Sequence, residues 1–134
     1  MTPEDVAAVQ RSWAELCRQP ALDAALTRQF ERFEQTERST IPASTRADFL
    51  LRAVAELVDL LQAPSRLADR ARALGQSWPD PQIAPCFARE GRAWLAAAAE
   101  CQPSWSPSVE TAWRQAWLLL SDVLAAESLS PFAP

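Results

Sequence analysis

The chain has 134 residues, a length that fits one domain built on one hydrophobic core. Apolar residues make up 49% of it and only two residues are glycine, a balance that suits packed helices better than turn-rich sheets. The net charge of -4 disfavours nonspecific binding to nucleic acid or to an anionic membrane surface, because both depend on dense positive charge.

A first helix is predicted from Pro3 to about Arg18. Thr2 caps it, proline stands at its first position, and Val6, Val9, Trp13, Leu16 and Cys17 recur on one face. Pro20 opens a second segment whose stripe is Leu22, Leu26, Phe30 and Phe33, ending in the polar stretch Gln35 to Thr40. After a loop through Pro42, Ser44 reads as the cap of a third helix, with Ala47, Leu50, Leu51, Val54, Leu57, Val58 and Leu61 on a broad apolar arc; Pro64 stops it. A shorter helix from about Ser65 carries Leu67, Ala71 and Leu74, and Gly75 precedes the break at Trp78-Pro79-Asp80-Pro81.

From about Gln82, Ile83, Phe87, Gly91, Trp94, Leu95 and Ala98 repeat at helical intervals, and Gly91 lets a neighbouring helix come close. Pro103 closes that helix. Ser106-Pro107, a cap followed by proline, starts the last one, with Val109, Trp113, Ala116, Leu120 and Val123 toward the core and Trp117 at the edge of that face. The tail from Ser128 to Pro134 is expected to be irregular. With no strand-length alternation and no internal repeat, the fold class is all-α, six helices in a single domain over residues 1–134.

The acidic opening Met1-Thr2-Pro3-Glu4-Asp5 is unlike a secretory signal, and no apolar run approaches the ~20 residues a bilayer requires. Three widely spaced cysteines, Cys17, Cys86 and Cys101, suit buried small side chains in a reducing compartment better than a disulfide framework, so a cytoplasmic location is expected. The chain has no histidine, no tyrosine and, among its 13 basic residues, no lysine; the usual general bases near neutral pH are therefore missing and the chain is not expected to be an enzyme. The cysteines also lack the paired spacing of a zinc site.

The opening Thr2-Pro3-Glu4-Asp5-Val6 with Trp13, the break Leu74-Gly75-Gln76-Ser77-Trp78, and Glu110-Thr111-Ala112-Trp113-Arg114-Gln115-Ala116 before an apolar run resemble the first, proximal and last helices of bacterial single-domain globins. The resemblance covers nearly the whole chain and implies a globin-like fold. It departs from the family where heme would be held. Globins ligate heme iron through a proximal histidine; here the alignment puts Trp78 or Ser77 at that position, and neither is a useful iron ligand. The phenylalanine that packs on the heme face in that family is replaced by Ile41. Cys86 is the one candidate substitute ligand, with no nearby lysine or histidine to stabilise its thiolate.

The former heme site implied by the resemblance comprises Ile41, Asp48, Phe49, Ser77, Trp78, Cys86 and Phe87, with Trp78 and Phe49 positioned to close it. No cofactor is expected. The leading functional expectation is a heme-free sensory or regulatory module that works through a protein surface, similar to the heme-free globin domains of bacterial stress-response sensors. Such domains pair through their last two helices, which here points to a homodimer or protein partner at Trp94, Trp117, Leu118 and Leu119. Two alternatives stand beside it: a carrier of an apolar or fatty-acid-like molecule in a remnant pocket, its carboxylate met by Arg66, Arg70 or Arg72, and a globin that binds heme through an atypical ligand. Pocket volume discriminates between a carrier and an interaction module.

Overall fold

The computed structural model describes residues 1–34, 41–77 and 83–129, and among them the helices are joined by turns and short irregular segments, with no strand. Helix α1 spans Pro3–Leu16, α2 Leu22–Glu34, α3 Ala43–Leu57, α4 Pro64–Ser77, α5 Ile83–Cys101 and α6 Pro107–Leu129, with one 3-10 turn over Val58–Leu60 extending α3. No helix of the described residues is long and apolar enough to cross a membrane.

The ends of these helices follow local chemistry. Thr2 and Asp5 form a reciprocal capping box: the Asp5 amide donates to Thr2 Oγ1 at 3.1 Å and the Thr2 amide to Asp5 Oδ2 at 3.2 Å. Ser106 Oγ accepts from the Val109 amide at 3.3 Å, just before Pro107 opens α6. At α3 the expectation of a Ser44 cap is corrected. Pro42 holds the cap position with φ -56 and ψ 145, makes no side-chain cap bond, and the helix is under way by Ala43, so Ser44 lies in its first turn. Pro64 does more than stop α3: it is the first residue of α4, where its missing N–H costs nothing. The helical reading of α6 also reaches Leu129, past the expected break at Ser128.

Helix α5 packs against α6 and α2, α2 against α3, α3 against α4, and α4 against α6, so five helices close a ring of neighbours. Helix α1 lies outside that ring, on α6 and on the 3-10 turn. The apolar stripes face inward: Leu26 and Phe30 of α2, Leu50 and Val54 of α3, Leu74 of α4, Phe87 and Trp94 of α5, and Trp113 and Leu120 of α6 are all buried. Trp13 and Trp105 are half-buried and pack against this core. The Trp105 amide donates to Gln102 O at 3.1 Å, folding the α5–α6 loop over the core.

Candidate functional site

A column of aromatic rings runs along the contact between α5 and α6 and reaches α1. Phe87 and Trp117 stack face to face, centroids 4.3 Å apart and planes 8° from parallel. Trp117 stacks in turn on Trp94 at 5.8 Å, and Trp94 lies at 5.2 Å from Trp113 and 5.9 Å from Trp13 in tilted contacts. One glycine makes this possible. A Cβ built at Gly91 would fall 2.7 Å from Trp117 Cδ1, so only glycine lets the α6 indole lie against the α5 backbone. From there Trp117 Nε1 donates to Phe87 O at 2.8 Å, fixing the ring in the plane that stacks on Phe87.

Two polar devices border the aromatic column. On one side Ser12 Oγ accepts from Trp113 Nε1 at 2.8 Å and donates to Gln102 Oε1 at 2.5 Å. Gln102 Nε2 donates onward to Glu15 Oε2 and Ser104 Oγ, which tie α1 to the α5–α6 loop around a cleft of about 230 Å³. On the other side the buried Glu90 carboxylate accepts two bonds from the Arg46 guanidinium, at 3.0 and 3.1 Å, while that guanidinium lies 4.8 Å above the Phe30 ring. This joins α2, α3 and α5. The indole N–H of Trp94 is buried with no hydrogen-bond acceptor among the described residues.

Of the residues assigned to a former heme site, Phe87 is fully buried, Ile41 and Phe49 are half-buried, and Asp48 is exposed. Trp78 and the side chains of Ser77 and Cys86 lie outside the described residues. A flat macrocycle needs an aromatic or aliphatic face to lie against and an axial ligand. The Phe87 face is occupied by Trp117, and neither histidine nor tyrosine exists in the chain. Cys17 and Cys101 sit at the ends of α1 and α5, and burial pushes both thiols upward, reinforced by Asp59 for Cys17 and by Glu100 for Cys101, with Arg28 opposing the latter. Those thiols resist becoming the thiolate that iron ligation requires. Cys86, the candidate substitute ligand, lies with its side chain outside the described residues.

The sequence missed the aromatic column as a unit, and its dimer assignment needs correction. Trp94 and Trp117 are 0% and 5% exposed within one chain, so neither belongs to an outer surface. The cause is register. Ala112, Trp113, Ala116, Trp117, Leu120 and Leu124 form the inner face of α6, whereas Val109 and Val123, both assigned to the core, are only partly buried beside it. Leu119 is half-buried and helps to line a surface groove of about 420 Å³ with Val6 and Leu61, between α1, the 3-10 turn and α6. Leu118 is 68% exposed and remains outward.

No known protein family matches this sequence, and no curated protein matches it. The arginines considered for a carboxylate ligand are placed as follows. Arg66 and Arg70 are exposed, and Arg72 donates to Glu127 of α6, 2.8 Å apart, with Asp69 at 3.7 Å, so the carboxylates Arg72 meets are the chain's own.

Proposed function

We propose that this chain is a heme-free, globin-like helical module that acts in sensing or regulation through its outer surface. Globins pack helices pairwise around a heme pocket; the closed ring of five helices supports a globin-like arrangement, and the resemblance of the first, proximal and last helices supports it independently. The observation that carries the functional reading is the aromatic column Phe87–Trp117–Trp94–Trp113, which fills the contact between α5 and α6. A protein that carries a ligand in its core leaves several hundred Å³ for it, whereas among the described residues the contact between α5 and α6 is given over to close-packed aromatic rings. The surface then becomes the working part, with Leu118 as its most exposed large apolar side chain among the described residues.

Native mass spectrometry of the protein purified from a heme-producing host tests this reading. The expected spectrum contains the mass of the chain, alone or as a whole-number assembly. A stoichiometric lipid or other small molecule that survives purification would reject it in favour of a carrier.

A further inference from the structure

Helix α1 carries two opposite charges one turn apart, Arg11 and Glu15, that do not meet. Side chains at this i,i+4 spacing lie within reach of an ion pair on a helix surface. Here the carboxylate is drawn the other way: Glu15 Oε2 accepts from Ser104 Oγ at 2.8 Å and from Gln102 Nε2 at 3.2 Å, toward the α5–α6 loop. Glu15 Oε1 has no hydrogen-bond partner among the described residues, and neither has the exposed Arg11 guanidinium. Both side chains line the cleft of about 230 Å³, together with Ala8, Val109 and the buried Ser12 and Gln102. Ser12 holds Gln102 and is itself held by Trp113 Nε1, so the floor of the cleft is anchored in the core.

We infer that this cleft binds a free α-amino acid with a small aliphatic side chain, its carboxylate on Arg11 and its ammonium on Glu15 Oε1. This rests on the reading of the chain as a sensory module and names the class of ligand sensed. Charge decides the class. A simple anion drawn to Arg11 meets the Glu15 carboxylate beside it, and a simple cation drawn to Glu15 meets Arg11, whereas a zwitterion satisfies both. Volume decides the size, since about 230 Å³ lies below the roughly 300–1,000 Å³ of sites for drug-sized molecules. Ala8 and Val109 form the apolar wall and offer no polar side-chain group, so the ligand's own side chain is short and aliphatic. The two bonds on Oε2 fix the Glu15 carboxylate in advance, and the long Arg11 side chain closes over the bound molecule. Both charges face solvent in part, so binding is weak and salt-dependent, and the ligand leaves during purification.

Proton–nitrogen NMR of the isotope-labelled chain, titrated at low salt with glycine, L-alanine or L-valine, reads the site directly. The Gln102 side-chain amide and the Trp113 indole N–H, both bonded to groups that line the cleft, are expected to shift saturably. N-acetyl-L-alanine lacks the ammonium and L-alaninamide lacks the carboxylate, and each is expected to bind about tenfold more weakly than L-alanine. Arg11→Gln and Glu15→Gln are expected to weaken L-alanine binding by about tenfold as well. Both should keep the helical circular dichroism spectrum, because Arg11 holds nothing in the fold and the Glu15 change keeps an acceptor for Ser104 and Gln102. Arg70→Gln, on α4 away from the cleft, is expected to bind as the wild type does. Shifts that fail to saturate with all three amino acids, or a derivative that binds as tightly as L-alanine, would overturn the inference. So would an Arg11→Gln chain that binds as the wild type does, or an equal loss in Arg70→Gln. An absence of binding overturns this inference alone, whereas a stoichiometric core ligand that survives purification overturns the functional reading whatever the cleft binds.

Discussion

Trp94 and Trp113 bury the same indole but differ in what the N–H meets. That of Trp113 donates to Ser12 Oγ, while that of Trp94 finds only neighbouring rings among the described residues. Replacing either by phenylalanine removes similar ring volume, but Trp113→Phe also strips Ser12 and Gln102 of a satisfied network, whereas Trp94→Phe removes a donor that was unsatisfied. Trp113→Phe is therefore expected to cost about 1–2 kcal/mol more in chemical denaturation than Trp94→Phe; equal losses would mean that the Ser12 bond contributes nothing. Gly91 gives a second test. Alanine is normally better in a helix by about 1 kcal/mol, yet its Cβ meets the Trp117 ring at 2.7 Å, with Phe87 stacked on that ring and its N–H held. Overpacking wins here, and Gly91→Ala should lower stability by about 1–3 kcal/mol and change tryptophan fluorescence. A gain in stability would show that Trp117 yields easily.

At the scale of elements, the ion pair between α3 and α5 is the most exposed to a single change. Glu90 is 5% exposed and Arg46 supplies two of its bonds, so Arg46→Leu leaves a buried carboxylate short of donors and is expected to cost about 3 kcal/mol by urea unfolding. A loss under ~1 kcal/mol would place this pair in the class of solvated surface bridges. Neither partner announced itself in the sequence, because each is an ordinary polar residue on its own helix and their meeting is a property of how α3 and α5 cross. The helices themselves were legible: Thr2-Pro3 and Ser106-Pro107 mark starts by a local mechanism that needs no tertiary contact. Gly91 was legible too, as a place for close approach. What occupies it was not, since the inner face of α6 is broad and its apolar pattern is compatible with Trp117 at the centre or at the edge; the contact with Gly91 settles it. Ser44 was misread because proline one residue ahead of Ala43 fixes the entry conformation without any side-chain cap.

For the molecule as a whole, the aromatic column joins α5 to α6 within the ring of helix contacts. Protein interiors are filled to ordinary packing density, and between α5 and α6 the rings of Phe87, Trp94, Trp113 and Trp117 supply that packing. Opening a cavity there costs stability roughly in proportion to its volume, so a flat ligand seated between α5 and α6 would have to displace these rings. The measurement that bears most directly on this is a titration of the purified protein with hemin, followed by absorbance in the Soret region and compared with an equimolar globin. The expected result is the spectrum of free hemin, with no saturable change at one equivalent. A sharp Soret band that saturates at one heme per chain would contradict it, and would require Trp117 to leave Gly91 and Phe87.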